Sequence, residues 1–389
     1  MRVELSSEQT KYVAHVRQFV NQEIVPNADQ YDVEQCLPEA LVDKLRAGGY
    51  LGAVVPKRYD GQELDMITFG LLCREFGRGC SSVRTLLTVQ SMVCQVLRRW
   101  GNEEQKAHWL PRLGRAEAIG AFALSEPEVG SDAASVQTVA VLRDGQYVIN
   151  GKKKWISFAQ IADVFLVFTQ CEGRQSALLV ERDTPGLRVR PIREMLGTRA
   201  SMLGELTFEE CAVPAGNLVG GEGFGLTAIA LTALDLGRYS VAWGCVGIGD
   251  ACLEASLRYS SERKQFGTPI RNHQLVAKLV ADMVTNVSAA ALLCHRAGQL
   301  RDDADPQSIG VTCMAKYFAS RMASRVTSDT VQLHGAVGCS DETSIQRYYR
   351  DAKIMEIIEG SNQIQQLLIS GFAYKDNLSS AMDWAHDLK

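Results

Sequence analysis

Two glutamates near the carboxyl end of the chain have the spacing and surroundings of a proton-abstracting site. Glu356 and Glu359 lie three residues apart in RYYRDAKIMEIIEGSNQIQQLLI, so they share a face if that helix is continuous. Isoleucines separate them, and the break Gly360-Ser361-Asn362 follows directly. A carboxylate at a helix end among apolar side chains has a raised pKa and suits general base catalysis. A helix-capping role explains the same spacing equally well.

A loop in the middle of the chain has groups that suit ligand binding. In FALSEPEVGSD, residues 122–132, Pro127 and Gly130 force an irregular path. Hydroxyl and backbone N–H groups of Ser125 and Ser131 can then face a ligand. An ordinary turn between domains has the same composition.

Aromatic side chains stand beside two further turns. Trp155 in NGKKKWIS follows a hairpin turn, where its ring can stack on a planar ligand and Ser157 can donate a hydrogen bond. Arg263 and Phe266 in SSERKQFG offer a phosphate partner and an aromatic contact. The alternative interpretations are that Trp155 is a core residue and that Arg263 and Phe266 belong to a solvated helix end. The glycines of VQLHGAVG are also explained by a helix end.

Glycine-rich strings do not indicate a dinucleotide-binding βαβ unit. GGEGFG, residues 220–225, follows an irregular stretch, and GCVGIG, residues 244–249, lies inside an apolar helical stretch. We therefore interpret them as a turn and a close helix contact.

Periodicity divides the chain into three zones that must position these groups. Residues 1–119 have helical spacing of apolar side chains, residues 120–225 alternate in strand fashion around Asp144-Gly145, and residues 226–389 return to long helices. The long apolar helices predict a bundle that packs on other helices or a second subunit. The residues after Tyr374 are predicted to be a tail.

Composition excludes several classes of protein. The chain has 389 residues, 46% of them hydrophobic, and a formal net charge of -4, which predicts neither nucleic acid nor membrane as a partner. No transmembrane run or leader is apparent, so a cytoplasmic location is expected. The 11 cysteines are scattered, without CxxC pairs, and are expected to be reduced; His spacing predicts no metal site.

The order and spacing of these strings resemble the acyl-CoA dehydrogenase family over residues 5–373. The matching strings are ALSEPEVGSD, KKWIS, LDLGR, ERKQFG, HQ, QLHGAVG, YRDAK and IIEGSNQIQ. The resemblance implies a mainly α fold with a central β domain: an N-terminal helical domain, a middle β-barrel-like domain and a C-terminal four-helix bundle. It also implies non-covalent FAD and a homodimer or homotetramer.

The resemblance also implies the role of individual residues. Flavin contacts fall on Phe122, Leu124, Ser125, Gly130, Ser131, Trp155, Ile156 and Ser157. Contacts to FAD, mainly the phosphates in the neighbouring subunit, fall on Arg263, Gln265, Phe266, His273, Gln274, Gln332, Leu333 and Gly335. The residues implied to close over the flavin are Ser361, Asn362 and Gln363. Those implied to contact the substrate are Ser131, Asp235, Arg238 and Gly360.

Glu359 matches the catalytic base of the family. A minority of relatives place the base just before the Arg of DxxR, and Gly237 occupies that position here. The implied reaction removes the α-proton of an acyl thioester and transfers a β-hydride to flavin N5.

A finer resemblance concerns GRYSVAWGCVGIGDAC and DAKIMEIIEGS. These strings are similar to dehydrogenases that act on short acyl groups of acyl carrier protein in polyketide extender-unit biosynthesis. Gln366 stands where Arg is common in the family, and Ala336 stands where a second glycine is common. The family's usual contacts to the acyl carrier are therefore not carried over to these two positions. The alternatives are a short- or medium-chain acyl-CoA dehydrogenase that passes electrons to an electron-transfer flavoprotein, an oxidase that uses oxygen, and a non-catalytic relative that kept the fold.

Overall fold

The N-terminal third of the chain is helical in the computed structural model, which describes residues 5–386 and the side chains as far as residue 375. Ser6 caps the first helix with a capping box, and Gly49 ends the third with a positive φ of 68°. The sixth helix continues through Pro111. The helices are α1 Ser7–Phe19, α2 Ala28–Glu34, α3 Glu39–Ala47, α4 Met66–Gly79, α5 Ser81–Trp100 and α6 Glu103–Gly114.

The middle of the chain forms a seven-stranded sheet. The strands are β1 Gly120–Ala123, β2 Val139–Arg143, β3 Gln146–Ile156, β4 Val164–Cys171, β5 Arg174–Glu181, β6 Leu187–Pro191 and β7 Gly204–Pro214. Their order is β1-β4-β2-β3-β7-β6, with β5 paired to β4. The predicted hairpin turn at Asp144-Gly145 joins β2 to β3, and both turn residues have positive φ, as a two-residue turn requires.

Long helices build the C-terminal part. They are α7 Leu231–Glu262, α8 Gln274–Asp302, α9 Ser308–His334, α10 Ile345–Met355 and α11 Asn362–His386. A short hairpin of β8 Lys264–Gln265 and β9 Thr268–Pro269 precedes α8. The prediction of a tail after Tyr374 is wrong as far as His386, because α11 continues to that residue. Together the three parts confirm the predicted mainly α fold with a central β domain.

Glycines bring α4 and α7 into close contact. A Cβ atom on Gly247 would lie 2.0 Å from the carbonyl oxygen of Arg74, and one on Gly77 would lie 2.5 Å from that of Gly244. The string GCVGIG is therefore a helix contact, as predicted, because any side chain there would separate the two helices.

One described helix, α8, is long and apolar enough to cross a membrane by length and composition, although the sequence analysis identified no such segment. Only 17% of its most apolar window is buried within the chain. It packs on α7 and α9 in the bundle, and Leu275 and Leu292 stay exposed. An apolar face of α8 is thus uncovered in the single chain.

Candidate active site

A cavity of about 960 Å³ lies where the sheet meets the helices. Its walls come from α5, the loop after β1, the end of β3, the start of α7 and the loop between α10 and α11. This volume is typical of a pocket for a large organic ligand. The cavity brings together these residues that the sequence assigned to cofactor or substrate: Phe122, Leu124, Ser125, Gly130, Ser131, Trp155, Ile156, Ser157, Arg238, Glu359, Gly360 and Ser361.

Glu359 lies in the loop after α10 and contributes its carboxylate to this cavity. Its φ is +57°, and that of Gly360 is +88°, so two consecutive left-handed residues turn the chain there. The Oε2 atom is buried and has no hydrogen-bond partner among the described residues. Burial raises the pKa of Glu359 to about 7, against the opposing charges of Arg238, Arg84 and Lys316.

Glu356 has different surroundings from Glu359. Its Oε2 atom accepts a hydrogen bond of 2.7 Å from Lys353, and it does not line the cavity. Burial raises its pKa, but the bonds from Lys353 and Ser324 outweigh that effect and hold the pKa below its usual range. The loop geometry therefore separates two carboxylates that spacing alone left equivalent.

Gly237 on α7 makes room for the Glu359 carboxylate. A Cβ atom at this position would lie 2.3 Å from Oε2 and 2.6 Å from Cδ of Glu359. The sequence had indicated only that no competing carboxylate stands at position 237. The structure adds that no side chain fits there while Glu359 keeps its position.

Buried polar groups hold the loop that carries Glu359. Arg238 Nε donates to the Glu359 carbonyl at 3.2 Å, and Gln365 Nε2 donates to the same oxygen at 3.1 Å. Lys316 Nζ donates to the Gly360 carbonyl at 2.9 Å and also contacts Asn362 Oδ1 at 3.3 Å. Burial lowers the pKa of Lys316 to about 8. The left-handed turn leaves the carbonyl groups of Glu359 and Gly360 without helical partners, and these hydrogen bonds pair them.

A buried ion pair holds the loop after β1. Lys153 Nζ lies 2.7 Å from Glu126 Oε1, and both side chains are almost fully buried. Glu126 also accepts hydrogen bonds from the backbone of Gln137 and Thr138. Burial lowers the pKa of Lys153 to about 8. The loop with Ser125 and Ser131 is thereby attached to β3.

The cavity wall fits a flavin. Trp155 has a positive φ of 64° and remains 45% exposed, so its ring lies outside the core in a cavity wall that Ser157 and Ser131 also line. A large apolar ring left exposed at a cavity wall is suited to stack on a planar ligand. The alternative of a core tryptophan is wrong, because nearly half of the side chain is accessible.

Other predicted residues lie away from the cavity. Phe266 is 95% exposed at the β8–β9 hairpin. The same hairpin and the ends of α8 and α9 carry Arg263, Gln265, His273, Gln274, Gln332, Leu333 and Gly335. Within one chain this group does not meet the cavity residues.

Three predicted residues at the edge of the site also fail to line the cavity. Asp235 forms an ion pair of 2.7 Å with Arg301 instead of facing the cavity. Asn362 is buried and accepts a hydrogen bond of 2.9 Å from Ser320. Gln363 is exposed on α11. Within the single chain Asp235 and Asn362 are held by neighbouring side chains, and their predicted ligand contacts stay predictions.

Sequence reasoning missed the contribution of α5. Arg84, Thr85, Thr88, Val89 and Met92 line the same cavity as Glu359. The available signal was the polar string RTLLTVQS inside a helix that is otherwise apolar and buried. Lys316 was also missed, because a single lysine in a long helix gives no signal of what it contacts.

Comparison with known proteins agrees with this arrangement. Family models describing the N-terminal, middle and C-terminal domains of acyl-CoA dehydrogenase match residues 6–117, 121–211 and 221–373. The chain is 37% identical over 361 residues to the short-chain specific mitochondrial acyl-CoA dehydrogenase of Rattus norvegicus, covering 91% of this chain and 87% of the relative.

Solved structures of similar proteins indicate the same family as the sequence comparisons. Butyryl-CoA dehydrogenase from Megasphaera elsdenii has a TM-score of 0.92 and 32% identity, covering 96% of this chain and 100% of the other. FkbI, described as acting in biosynthesis of the methoxymalonyl extender unit of the Fk520 polyketide, has a TM-score of 0.86 and 33% identity, covering 94% and 99%. The chain therefore belongs to the acyl-CoA dehydrogenase family, whose members are FAD-dependent oxidoreductases that act on acyl thioesters.

Proposed function

We propose that this protein dehydrogenates a short acyl thioester between its α and β carbons, with Glu359 as the base. The observation that carries the proposal is the Glu359 carboxylate, which contributes to the cavity wall with a buried and unpartnered Oε2 atom and a raised pKa. A carboxylate with a pKa near neutrality has the proton affinity that general base catalysis needs.

The chain's own residues bind, orient and deprotonate the substrate. Glu359 takes the α-proton on its carboxylate, and Arg238 and Gln365 keep its backbone fixed by binding its carbonyl oxygen. The Trp155 ring and the hydroxyls of Ser131 and Ser157 form the wall that would hold the isoalloxazine. When bound, FAD supplies the acceptor for the β-hydride.

The length and the carrier of the acyl group are the finer part of the proposal. Similarity to short-chain and butyryl-CoA enzymes supports a short acyl group on coenzyme A. Similarity to FkbI, together with the string GRYSVAWGCVGIGDAC, favours acyl carrier protein as a second candidate carrier. The electrons would pass to an electron-transfer flavoprotein, with oxygen as the other acceptor, in the cytoplasm.

A second copy of the chain would complete the cofactor site. The exposed face of α8 and the 95% exposed Phe266 support a homodimer or homotetramer. In such an assembly Arg263 and Gln274 would reach the FAD phosphates of the neighbouring subunit, as guanidinium groups commonly do with phosphate. Replacing Arg263 with Met should lower flavin retention without changing the Glu359 loop.

Anaerobic flavin bleaching tests the function directly. Propionyl, butyryl and hexanoyl groups are offered first on coenzyme A and then on acyl carrier protein, and flavin absorbance is followed. Bleaching by the short groups is expected, and Glu359→Gln should slow it at least about a hundredfold. Glu356→Gln is the matched control and should keep nearly the wild-type rate. Unchanged bleaching in Glu359→Gln would refute the base assignment.

A further inference from the structure

The segment between β6 and β7, residues 192–203 and here called the β6–β7 connector, has a strained backbone. Glu194, Thr198 and Met202 all have positive φ, at 59°, 48° and 45°. Left-handed backbone is uncommon for residues other than glycine, and it persists where the surrounding structure imposes it. Because strain of this kind clusters at functional sites, the connector is a candidate for a role in ligand binding.

Neighbouring helices hold the β6–β7 connector in this conformation. The side-chain amide of Gln35, directly after α2, donates to Glu194 Oε1 at 2.8 Å and accepts from the Glu194 backbone N–H at 2.7 Å. Asp351 on α10 accepts from the Thr198 backbone N–H at 2.6 Å. The same helix leads directly into the loop that carries Glu359. The connector is therefore fixed to the helix that precedes the base.

The β6–β7 connector contributes a wall of the active-site cavity, and the sequence assigned none of its residues to a ligand. The residues that line the cavity are Met195, Thr198, Ser201 and Leu203. Ser201 is 1% exposed, and its Oγ atom is buried without a hydrogen-bond partner among the described residues. Its backbone N–H donates to the Thr198 carbonyl at 2.9 Å, and its carbonyl accepts from the Phe158 N–H at 2.8 Å. The backbone of Ser201 is thus paired, and its hydroxyl is left for a ligand.

An unpartnered hydroxyl does not by itself indicate a ligand. Ser81 and Ser91 on α5 are also buried, with no partner for Oγ in the described part of the chain, and neither lines the cavity. Ser201 differs from both because it lies in the cavity wall on a strained segment. A buried hydroxyl without a hydrogen bond costs free energy, and a ligand in the cavity recovers that cost by accepting one.

The surroundings of Ser201 indicate which ligand accepts this hydrogen bond. The backbone bond to Phe158 places Ser201 beside the end of β3, where Trp155, Ile156 and Ser157 line the cavity. These residues form the wall that would hold the isoalloxazine. The pyrimidine edge of an isoalloxazine has carbonyl oxygens and unprotonated ring nitrogens that accept hydrogen bonds. An acyl group offers only its thioester carbonyl, which the reaction places at the base, so the hydroxyl fits the flavin better than the acyl group.

We infer that Ser201 donates a hydrogen bond to the polar edge of the bound flavin, and that the strained β6–β7 connector holds this hydroxyl in the cavity wall. The inference rests on the proposed function, which puts the isoalloxazine against Trp155 and Ser157. It adds a flavin contact from a segment outside the motifs that the family resemblance assigned to the cofactor. Because Asp351 fixes the connector to α10, the hydroxyl also links the flavin to the helix that precedes Glu359.

Flavin affinity and the flavin spectrum test this contact in the holoenzyme. The holoenzyme is diluted in steps while released FAD is followed by its fluorescence, and the visible spectrum and reduction potential are measured with FAD in excess. Ser201→Ala should raise the Kd for FAD about tenfold, which is the effect of losing one hydrogen bond to a neutral acceptor. The visible absorption band should shift. The reduction potential should fall, because a hydrogen-bond donor stabilises the added electron density of the reduced flavin.

Ser91→Ala is the matched control, because it removes a buried and unpartnered hydroxyl that lies outside the cavity. It should leave the Kd, the spectrum and the reduction potential at their wild-type values. A wild-type Kd and spectrum in Ser201→Ala would overturn the inference. So would a higher Kd with an unchanged spectrum and potential, because the loss would then come from the fold. In either case, bleaching of the wild-type flavin by butyryl-CoA would leave the proposed function intact.

Discussion

Adding one methyl group at Gly237 should disable the base while the protein stays folded. In Gly237→Ala the new Cβ would lie 2.3 Å from Glu359 Oε2 and 3.1 Å from Met92 Sδ. Ordinary contact begins near 3.4 Å, so the carboxylate must move by about 1 Å. The backbone of Glu359 cannot easily follow, because Arg238 and Gln365 bind its carbonyl oxygen. The side chain therefore takes up the displacement.

The expected loss is large because proton transfer depends on position. A displacement of about 1 Å at a reacting group costs on the order of a hundredfold in rate. Stability should change little, because alanine is favoured over glycine within a helix by about 1 kcal/mol and this gain offsets part of the crowding. Stopped-flow flavin reduction gives the rate, urea unfolding gives the stability, and the visible spectrum gives the flavin content.

Gly371→Ala provides a matched control for this experiment. Gly371 also lies in a helix, α11, and a Cβ atom there would meet no atom of the described residues within 4 Å. This variant should reduce its flavin at the wild-type rate. If Gly237→Ala also reduced its flavin at that rate, with full flavin content, then Glu359 would not be the base in the position that the structure gives it.

Three further outcomes follow from the charges around the site. Glu359 must be ionised to accept a proton, so flavin reduction should rise with pH through its pKa of about 7 and then level off; a flat stopped-flow profile between roughly pH 5 and 9 would contradict this. Lys153→Met leaves the buried Glu126 carboxylate without its cation and should lower the free energy of unfolding by about 3–5 kcal/mol in urea. The double variant with Glu126→Gln should recover part of that loss, and no recovery would argue against the pair. Lys316→Met removes the hydrogen bond to the Gly360 carbonyl and should slow flavin reduction about tenfold at unchanged flavin content, whereas a wild-type rate would show that the loop does not need it.

Local patterns in the sequence were sufficient to predict the elements of the fold. The spacing of apolar residues predicted the helical N-terminal and C-terminal zones and the β zone between them. Asp144-Gly145 predicted the hairpin turn, because such turns need residues that accept positive φ. The sequence motifs shared with the acyl-CoA dehydrogenase family predicted segments that line the cavity, including those with Ser131 and Trp155. The course of α11 past Tyr374 was missed, although apolar residues of DNLSSAMDWAH have helical spacing.

Tertiary structure alone decided which of these groups act together. Sequence spacing left Glu356 and Glu359 equivalent, and only the left-handed turn at Glu359 directs one of them into the cavity. Arg84 and Glu359 are far apart in the chain but line one cavity, and Gly237 lies against the Glu359 carboxylate, because α5, α7 and the loop after α10 pack together. Periodicity specifies that a helix has a buried face, but the burial and the raised pKa of a side chain depend on what the other elements place against that face.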